Sequence, residues 1–288
     1  MRIVLSLVHE TRNGEKMNLS ELKQFLAKNG TRAKKSFSQN FLFNDESLGK
    51  IAGAIPQNAG FYIEIGGGLG ALTEKALERS LTPLTVTDID ATMLGILKKR
   101  FSEQASVVEA DGAKLRLEPF FEGKRGYIFG NLPYQVSSLI VMNTCLESRF
   151  IDGAVFLLQK EVSERFSAEP KNRDFGPIAA LIRFLGHSDY LFTLPPEDFY
   201  PAPKVESGLL KITFERHDFD RTRLESFANT ARILFSNRRK TMQNVFKING
   251  LDQEILKIHG DIAAKRSEEL DWQTILMLED EIYRRKNE

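Results

Sequence analysis

Phe61-Tyr62-Ile63-Glu64-Ile65-Gly66-Gly67-Gly68-Leu69-Gly70 is the stretch that decides the fold. Its first half is a short apolar run of strand length, and its second half is a glycine turn. A helical pattern follows at once, with Leu72, Ala76 and Leu77 on one face. Strand, glycine loop and helix make the βα unit that brings backbone close to a nucleotide-like ligand. The glycines at 66, 67, 68 and 70 do not follow the spacing of the dinucleotide fingerprint. No Lys-Ser/Thr pair follows them, which excludes a phosphate-cradling P-loop. Such a turn suits a ligand carrying adenosine and an amino acid in place of a pyrophosphate.

Working outward, Leu84-Thr85-Val86-Thr87-Asp88 ends in an acid about twenty residues after the glycines, where a carboxylate accepts from ribose hydroxyls. Asp90 is the expected cap of a helix through Met93, Leu94 and Leu97. Val107-Val108-Glu109-Ala110-Asp111 ends in a second acid, placed to meet the amino group of an adenine. Any one of these acids is also readable as a solvated loop residue. Then Tyr127-Ile128-Phe129-Gly130 reads as a buried strand that breaks at Asn131-Leu132-Pro133-Tyr134, because Pro133 cannot continue a ladder. An Asn side-chain oxygen plus the Leu132 or Pro133 carbonyl can accept both hydrogens of an exocyclic amine, with Tyr134 stacked on the ring that carries it. The same four residues also make an ordinary corner, with Asn131 capping a helix that starts near Ser137. Strands ending in polar residues at one sheet edge outline an S-adenosylmethionine site beside an amine acceptor.

Further motifs stand in a fixed order with these: Ser38-Gln39-Asn40-Phe41-Leu42, Phe199-Tyr200-Pro201-Ala202-Pro203-Lys204-Val205-Glu206-Ser207 and Phe235-Ser236-Asn237-Arg238-Arg239-Lys240-Thr241. The set resembles the ribosomal RNA adenine N6,N6-dimethyltransferases, and within them the bacterial small-subunit branch, from about Lys34 to the C-terminus. The resemblance implies S-adenosylmethionine as cofactor. It also implies dimethylation of two adjacent adenosines near the 3′ end of small-subunit rRNA, in a 30S particle or its precursor, with a role in biogenesis. At matching positions Asn40 and Leu42 would close over the cofactor, Gly66 and Gly68 would approach it, Asp88 would hold the ribose and Asp111 the adenine amine. Asn131 would touch both cofactor and target, while Tyr134 and Phe199 would sandwich a flipped adenine. The small Gly130 would leave room for a first methyl while the second arrives. The chain departs from the family pattern at Gly67, where proline is usual, at Gln135, where Asn is usual, and at Ala202, which replaces a proline.

The expected architecture is α/β: a Rossmann-like methyltransferase sheet with helices on both faces, plus a small all-helical C-terminal domain. The 288 residues suffice for two domains. The expected boundaries are an N-terminal extension and basic arm over 1–36, a methyltransferase domain over 37–216 and a helical domain over 217–288. In the last, Leu224, Phe227, Ala228, Ala231 and Leu234 recur at three- and four-residue steps. Ser20 is the expected cap of an early amphipathic helix; either Met17 is the expected start, or residues 1–16 are a disordered extension.

A net charge of +1 is low for a protein that grips RNA. The positive charge is local instead: Lys28, Arg32, Lys34 and Lys35 on one side of the motif set, and Arg238, Arg239 and Lys240 on the other. Each cluster alone reads as a solvated face; together, flanking a site for a flipped base, they are candidate RNA contacts. The single Cys145 is expected to be buried, and the four scattered histidines lack metal-ligand spacing, so no metal is expected. No apolar stretch reaches the ~20 residues that span a membrane. A cytoplasmic monomer is expected. Parts of the motif set also fit a DNA adenine methyltransferase, a large-subunit rRNA methylase, or an assembly factor that mainly binds the immature small subunit.

Overall fold

The computed structural model describes residues 19–28, 39–258 and 260–287. In chain order the first elements are α1 (Leu19–Lys28), β1 (Phe41–Leu42), α2 (Asp45–Ala54), β2 (Tyr62–Ile65), α3 (Ala71–Glu78), β3 (Leu84–Asp88), α4 (Ala91–Phe101) and β4 (Ser106–Glu109). Next come β5 (Gly126–Asn131), α5 (Ser137–Leu146), β6 (Ile151–Gln159), α6 (Lys160–Phe166), α7 (Pro177–Leu185), β7 (Gly186–Leu194), β8 (Phe199–Tyr200) and β9 (Ser207–Phe214). The C-terminal helices are α8 (Arg221–Leu234), α9 (Met242–Ile248), α10 (Glu254–Ile258) and α11 (Trp272–Asn287).

Seven strands form one sheet in the order β4-β3-β2-β5-β6-β9-β7. The first five are parallel, and β9 runs antiparallel between β6 and β7. All four residues of β2 are buried, as a strand covered on both faces requires. The chain leaves β2 toward β3 on one side and returns to β5 on the other, so the strand order reverses at β2. The crevice outside the carboxyl ends of β2 and β5 is therefore the topological switch point, where open α/β sheets bind ligands.

Period-two alternation sorts the sheet's side chains between two cores. Tyr62, Val86, Phe129, Val155 and Leu157 pack with Leu48 and Ile51 of α2, Leu72 and Ala76 of α3, and Leu97 of α4. Ile63, Ile65, Ile128, Ala154, Phe156 and Leu158 face Ile140 and Val141 of α5 and Ala180 and Leu181 of α7. Helices thus cover both faces. Cys145 is fully buried in the second core, and burial raises its thiol pKa. Asp90 caps α4 as expected, its side chain accepting from the Thr92 N–H at 2.9 Å.

Two expectations change. Helix α1 begins at Leu19, so Ser20 lies inside the first turn and does not cap it. Asn131 caps no helix: it ends β5, while Val136 precedes α5 without a side-chain cap. The C-terminal region is helical as expected, and its Leu224, Phe227, Met242, Phe246 and Leu278 belong to the same apolar cluster as Ile63 and Phe156 of the sheet. The period of the sequence changes at this point, but the packing runs through.

A second, two-stranded sheet pairs β1 with β8, with Phe41 opposite Tyr200 and Leu42 opposite Phe199. It lies against the sheet's ligand edge. Helix α1 packs Leu22 and Leu26 with Phe41, Leu69 and Met93 in a third apolar cluster beside the glycine turn.

Candidate active site

The glycine turn is forced by its backbone. Gly66, Gly68 and Gly70 take φ of +74°, +53° and +84°, in the left-handed region that favours glycine. A Cβ at Gly70 would meet the Phe101 ring at 2.3 Å. The N–H groups of Gly66 and Gly67 donate to the Thr87 carbonyl at 2.9 and 3.0 Å, which ties the turn to β3. Asp88 completes the tie: its carboxylate accepts from the Gly68 N–H and the Asp90 N–H, both at 2.9 Å. Burial raises the Asp88 pKa, and these backbone donors oppose the rise.

Beneath the turn, Glu64 of β2 is 2 % exposed. Burial pushes its pKa up to about 8; the Thr73 hydroxyl, donating to Oε2 at 2.5 Å, opposes the shift, nearby Asp88 adds to it, and Arg100 opposes it. Arg100 itself donates to the Leu69 carbonyl and pairs with Glu74 at 3.0 Å, closing the turn from the α4 side.

At the end of β5 the Asn131 Nδ2 donates to the Asn40 carbonyl at 3.1 Å. That bond joins the Gln39-Asn40 segment to the switch point and fixes the amide so that Oδ1 is its acceptor limb. The Pro133 carbonyl accepts the Val136 N–H at 3.1 Å, so it is engaged in the turn that leads into α5. Among the described residues, no backbone N–H donates to the Leu132 carbonyl. The Tyr134 hydroxyl is 2.7 Å from the Ser207 hydroxyl, and Ser207 is buried at the start of β9. Burial raises the Tyr134 pKa.

One cleft of about 280 Å³ gathers these groups. Asn40, Leu42, Gly66, Gly68, Asp88, Asp111, Asn131, Leu132, Pro133 and Tyr134 all line it. Of the proposed base-contacting residues, Phe199 stands elsewhere: it is 3 % exposed, packed with Leu42 and Leu194 in the core behind the β1–β8 ribbon. Gly130 also answers a packing need. A Cβ there would meet the Ile65 carbonyl oxygen at 2.4 Å, so its smallness serves the close approach of β5 to β2.

Sequence reasoning missed Leu22, Phe25, Glu64 and Arg100 as wall residues. The four-residue step from Leu22 to Leu26 was the available signal for α1, whereas nothing local marks Arg100. The basic clusters divide. Lys34 and Lys35 lie outside the described residues. Arg238 is half-buried and donates to the Arg173 carbonyl, and to the Phe175 carbonyl at 2.9 Å, so it tethers a loop. Arg239 and Lys240 are exposed. Among the described residues no group of three or more His, Cys, Asp or Glu is placed to hold a metal, and no helix is long and apolar enough to cross a membrane.

The cleft suits S-adenosylmethionine by its chemistry: close backbone at a glycine turn, carboxylates beyond β3 and β4 for hydroxyl and amine donors, and apolar walls. A mixed sheet whose parallel strands form that crevice, next to an amide and a carbonyl able to accept from an amine, fits an S-adenosylmethionine-dependent amine methyltransferase. The family model for ribosomal RNA adenine dimethylase matches residues 30–282. The "Ribosomal RNA small subunit methyltransferase A" of Hydrogenovibrio crunogenus is 34% identical over 254 residues, 85% of this chain and 94% of that protein. The protein of the same name from Coxiella burnetii is 32% identical over 236 residues, 80% and 91% of the two chains. Among solved structures, a dimethyladenosine transferase from Plasmodium falciparum superposes with a TM-score of 0.67 at 25% identity, covering 84% of this chain and 97% of that one. The 23S rRNA methyltransferase ErmE shares the fold, with a TM-score of 0.59 at 21% identity over 85% of this chain and all of that one. The chain belongs to the ribosomal RNA adenine dimethylase family, and is an S-adenosylmethionine-dependent rRNA adenine dimethyltransferase.

Proposed function

We propose that the enzyme dimethylates the N6 amines of two adjacent adenosines near the 3′ end of small-subunit rRNA, acting on a 30S particle or its precursor during biogenesis. The observation that carries the chemistry is the pairing at the end of β5: an Asn131 amide fixed through Nδ2, beside a Leu132 carbonyl left outside the turn that engages Pro133. The small-subunit branch is supported by the names of the relatives at 32–34% identity.

When bound, S-adenosylmethionine supplies an electrophilic methyl group on a sulfonium. Asp88 would hold its ribose and Asp111 its adenine amine, with Gly66 and Gly68 against the methionine part and Asn40 and Leu42 closing the cleft. An adenine amine is a poor nucleophile because its lone pair is shared with the ring. Asn131 Oδ1 and the Leu132 carbonyl, accepting both amine hydrogens, favour a pyramidal nitrogen whose lone pair is available. Alkylation acidifies the amine, so a proton passes to water and no strong general base is needed. Positioning then supplies most of the acceleration. Tyr134 stacks on one face of the flipped base and offsets part of the cost of unstacking it. Phe199 would serve the other face; it is 3 % exposed in the ribbon, where it stands opposite Leu42. With a low net charge, RNA contact would rest on local patches, and the exposure of Arg239 and Lys240 supports their part in it. We take the enzyme to be a cytoplasmic monomer.

The test is methyl transfer from labelled S-adenosylmethionine to unmethylated 30S particles, with naked rRNA, 50S particles and duplex DNA in parallel. N6,N6-dimethyladenosine from 30S alone is the expected result. Label in 50S or DNA would move the specificity to another branch. Tight 30S binding without label would make binding the main role.

A further inference from the structure

Asp111 stands two residues beyond β4, on a turn whose backbone is held from outside the turn. On α5, the Asn143 Nδ2 donates to the carbonyls of Gly112 (3.2 Å) and Leu115 (2.8 Å). At the end of the same helix the Glu147 carboxylate accepts the Leu117 N–H at 2.8 Å through Oε2, and pairs with the Arg116 Nε at 2.9 Å through Oε1. Both side chains are in turn gripped by Arg221, the first residue of α8. Its Nη1 donates to Glu147 Oε1 at 2.6 Å and its Nη2 to Asn143 Oδ1 at 3.3 Å, while Nε donates to Glu225 at 2.8 Å.

Glu147 is 1 % exposed and Asn143 5 % exposed. Removing one partner of a buried ion pair leaves the other charge poorly compensated. Arg116 is more than half exposed, which makes Arg221 the better-shielded partner of the two. The order of dependence is thus set: Arg221 fixes Glu147 and Asn143, and these fix the backbone from Gly112 to Leu117. The turn has little freedom on its inner side, because a Cβ at Gly112 would meet the Ile65 side chain at 2.4 Å. Within the turn, Asp111 Oδ1 accepts the local Ala113 N–H at 3.0 Å, so its aim follows the turn's backbone.

We propose that Asn143, Glu147 and Arg221 are positioning residues for Asp111, and that through them the C-terminal helical segment sets how well the cleft recognises the cofactor's adenine amine. The proposal rests on the reading of Asp111 as the acceptor of that amine. None of the three residues lines the cleft, so any effect on the cofactor must pass through the turn.

The experiment is calorimetric binding of S-adenosylhomocysteine and of S-inosylhomocysteine, which carries a 6-oxo group where the adenine has its amine. The proteins are wild type, Arg221→Ala, Arg221→Lys, Glu147→Gln and Asp111→Ala, each first checked by thermal melting. Wild type is expected to prefer the amine-bearing ligand, and Asp111→Ala to lose that preference. Arg221→Ala and Glu147→Gln should weaken the amine-bearing ligand about tenfold while leaving the 6-oxo ligand within about twofold, with Arg221→Lys retaining most of the preference. In turnover, the same variants should raise KM for S-adenosylmethionine and leave kcat at saturation within about twofold. Equal losses for both ligands would mean a general structural effect and overturn the proposal. Full discrimination in the Arg221→Ala and Glu147→Gln proteins would overturn it too. A wild type that does not discriminate, matched by an unaffected Asp111→Ala, would overturn the Asp111 reading and the proposal together.

Discussion

Asn131 shows how much a single side chain carries at the switch point, since one limb of its amide joins the Asn40 segment and the other is left as an acceptor. Asn131→Ala removes both functions without opening a core cavity, because the residue is only half-buried. Transfer should fall by at least about a thousandfold while the melting temperature stays within a few degrees, measured by label incorporation and calorimetry. Near-normal turnover would remove Asn131 from the chemistry. Glu64 gives a prediction of another kind. In the native protein its carboxyl holds its proton up to about pH 8, whereas in the unfolded chain it ionises near its ordinary value of 4.5. Between those values the native state binds the extra proton, so stability falls as pH rises through that window. Glu64→Gln abolishes this contribution. Melting curves from pH 5 to 8 should therefore show wild type losing stability relative to the Gln variant as pH rises. Some slope should persist in both, because buried Asp88 titrates with the same sign. Parallel curves for the two proteins would show that folding does not raise the Glu64 pKa.

Among elements, the β2–α3 turn was legible because strand, glycines and helix follow one another in the chain, and each signal is local. Its fine fit was not. At Gly67 a Cβ would meet the Val86 Cγ1 at 2.3 Å, and the Gly67 N–H donates to the Thr87 carbonyl. Proline, usual there in the family, would lose that donor as well as clash. Gly67→Ala should cost about 1–3 kcal/mol by overpacking, and Gly67→Pro about one more for the missing bond. Adding Val86→Ala should recover the Ala variant but only part of the Pro variant, as read by chemical denaturation. No recovery in either would mean that the clash is not with Val86. The β1–β8 ribbon was illegible for a different reason: two residues per strand carry no period, and their partners lie far apart in the chain. Without that pairing, sequence shows Phe199 as an aromatic but not its burial at 3 % exposure. The basic run is a third case, because sequence shows the charge of Arg238 but not the carbonyls of Arg173 and Phe175 that occupy it. Neutralising Arg239 and Lys240 should lower the log–log salt slope of RNA binding by roughly 0.7 to 0.9 for each phosphate that they engage. Arg238→Ala should lower the melting temperature and leave the slope unchanged; the reverse pattern would make Arg238 the RNA contact.

Across the whole molecule, the boundary expected near residue 216 follows from a change of period, from two to about 3.6, and that change is real: β9 ends at Phe214 and α8 begins at Arg221. Period reports what each segment is, not what it packs against. Phe227 of α8 stacks on Phe184 of α7, with centroids 4.1 Å apart and planes 16° apart, and both lie in or against the apolar cluster that covers one face of the sheet. Arg223 of the same helix is bidentate to the buried Glu279 of α11, with both contacts at 2.6 Å, so the C-terminal helices are also bound to one another. Arg221 links this assembly to Glu147, at the end of α5. A cluster shared in this way cannot be divided without exposing apolar surface on both parts. The whole chain should then unfold in a single calorimetric transition. Phe227→Ala should lower that transition by about 3–5 kcal/mol, with cofactor binding lost in the same step as the C-terminal helices. Residues 1–216 expressed alone should aggregate or bind hydrophobic dye. Two separable transitions, or a well-folded 1–216 fragment that still binds cofactor, would show the helical segment to be an independent domain resting on the sheet.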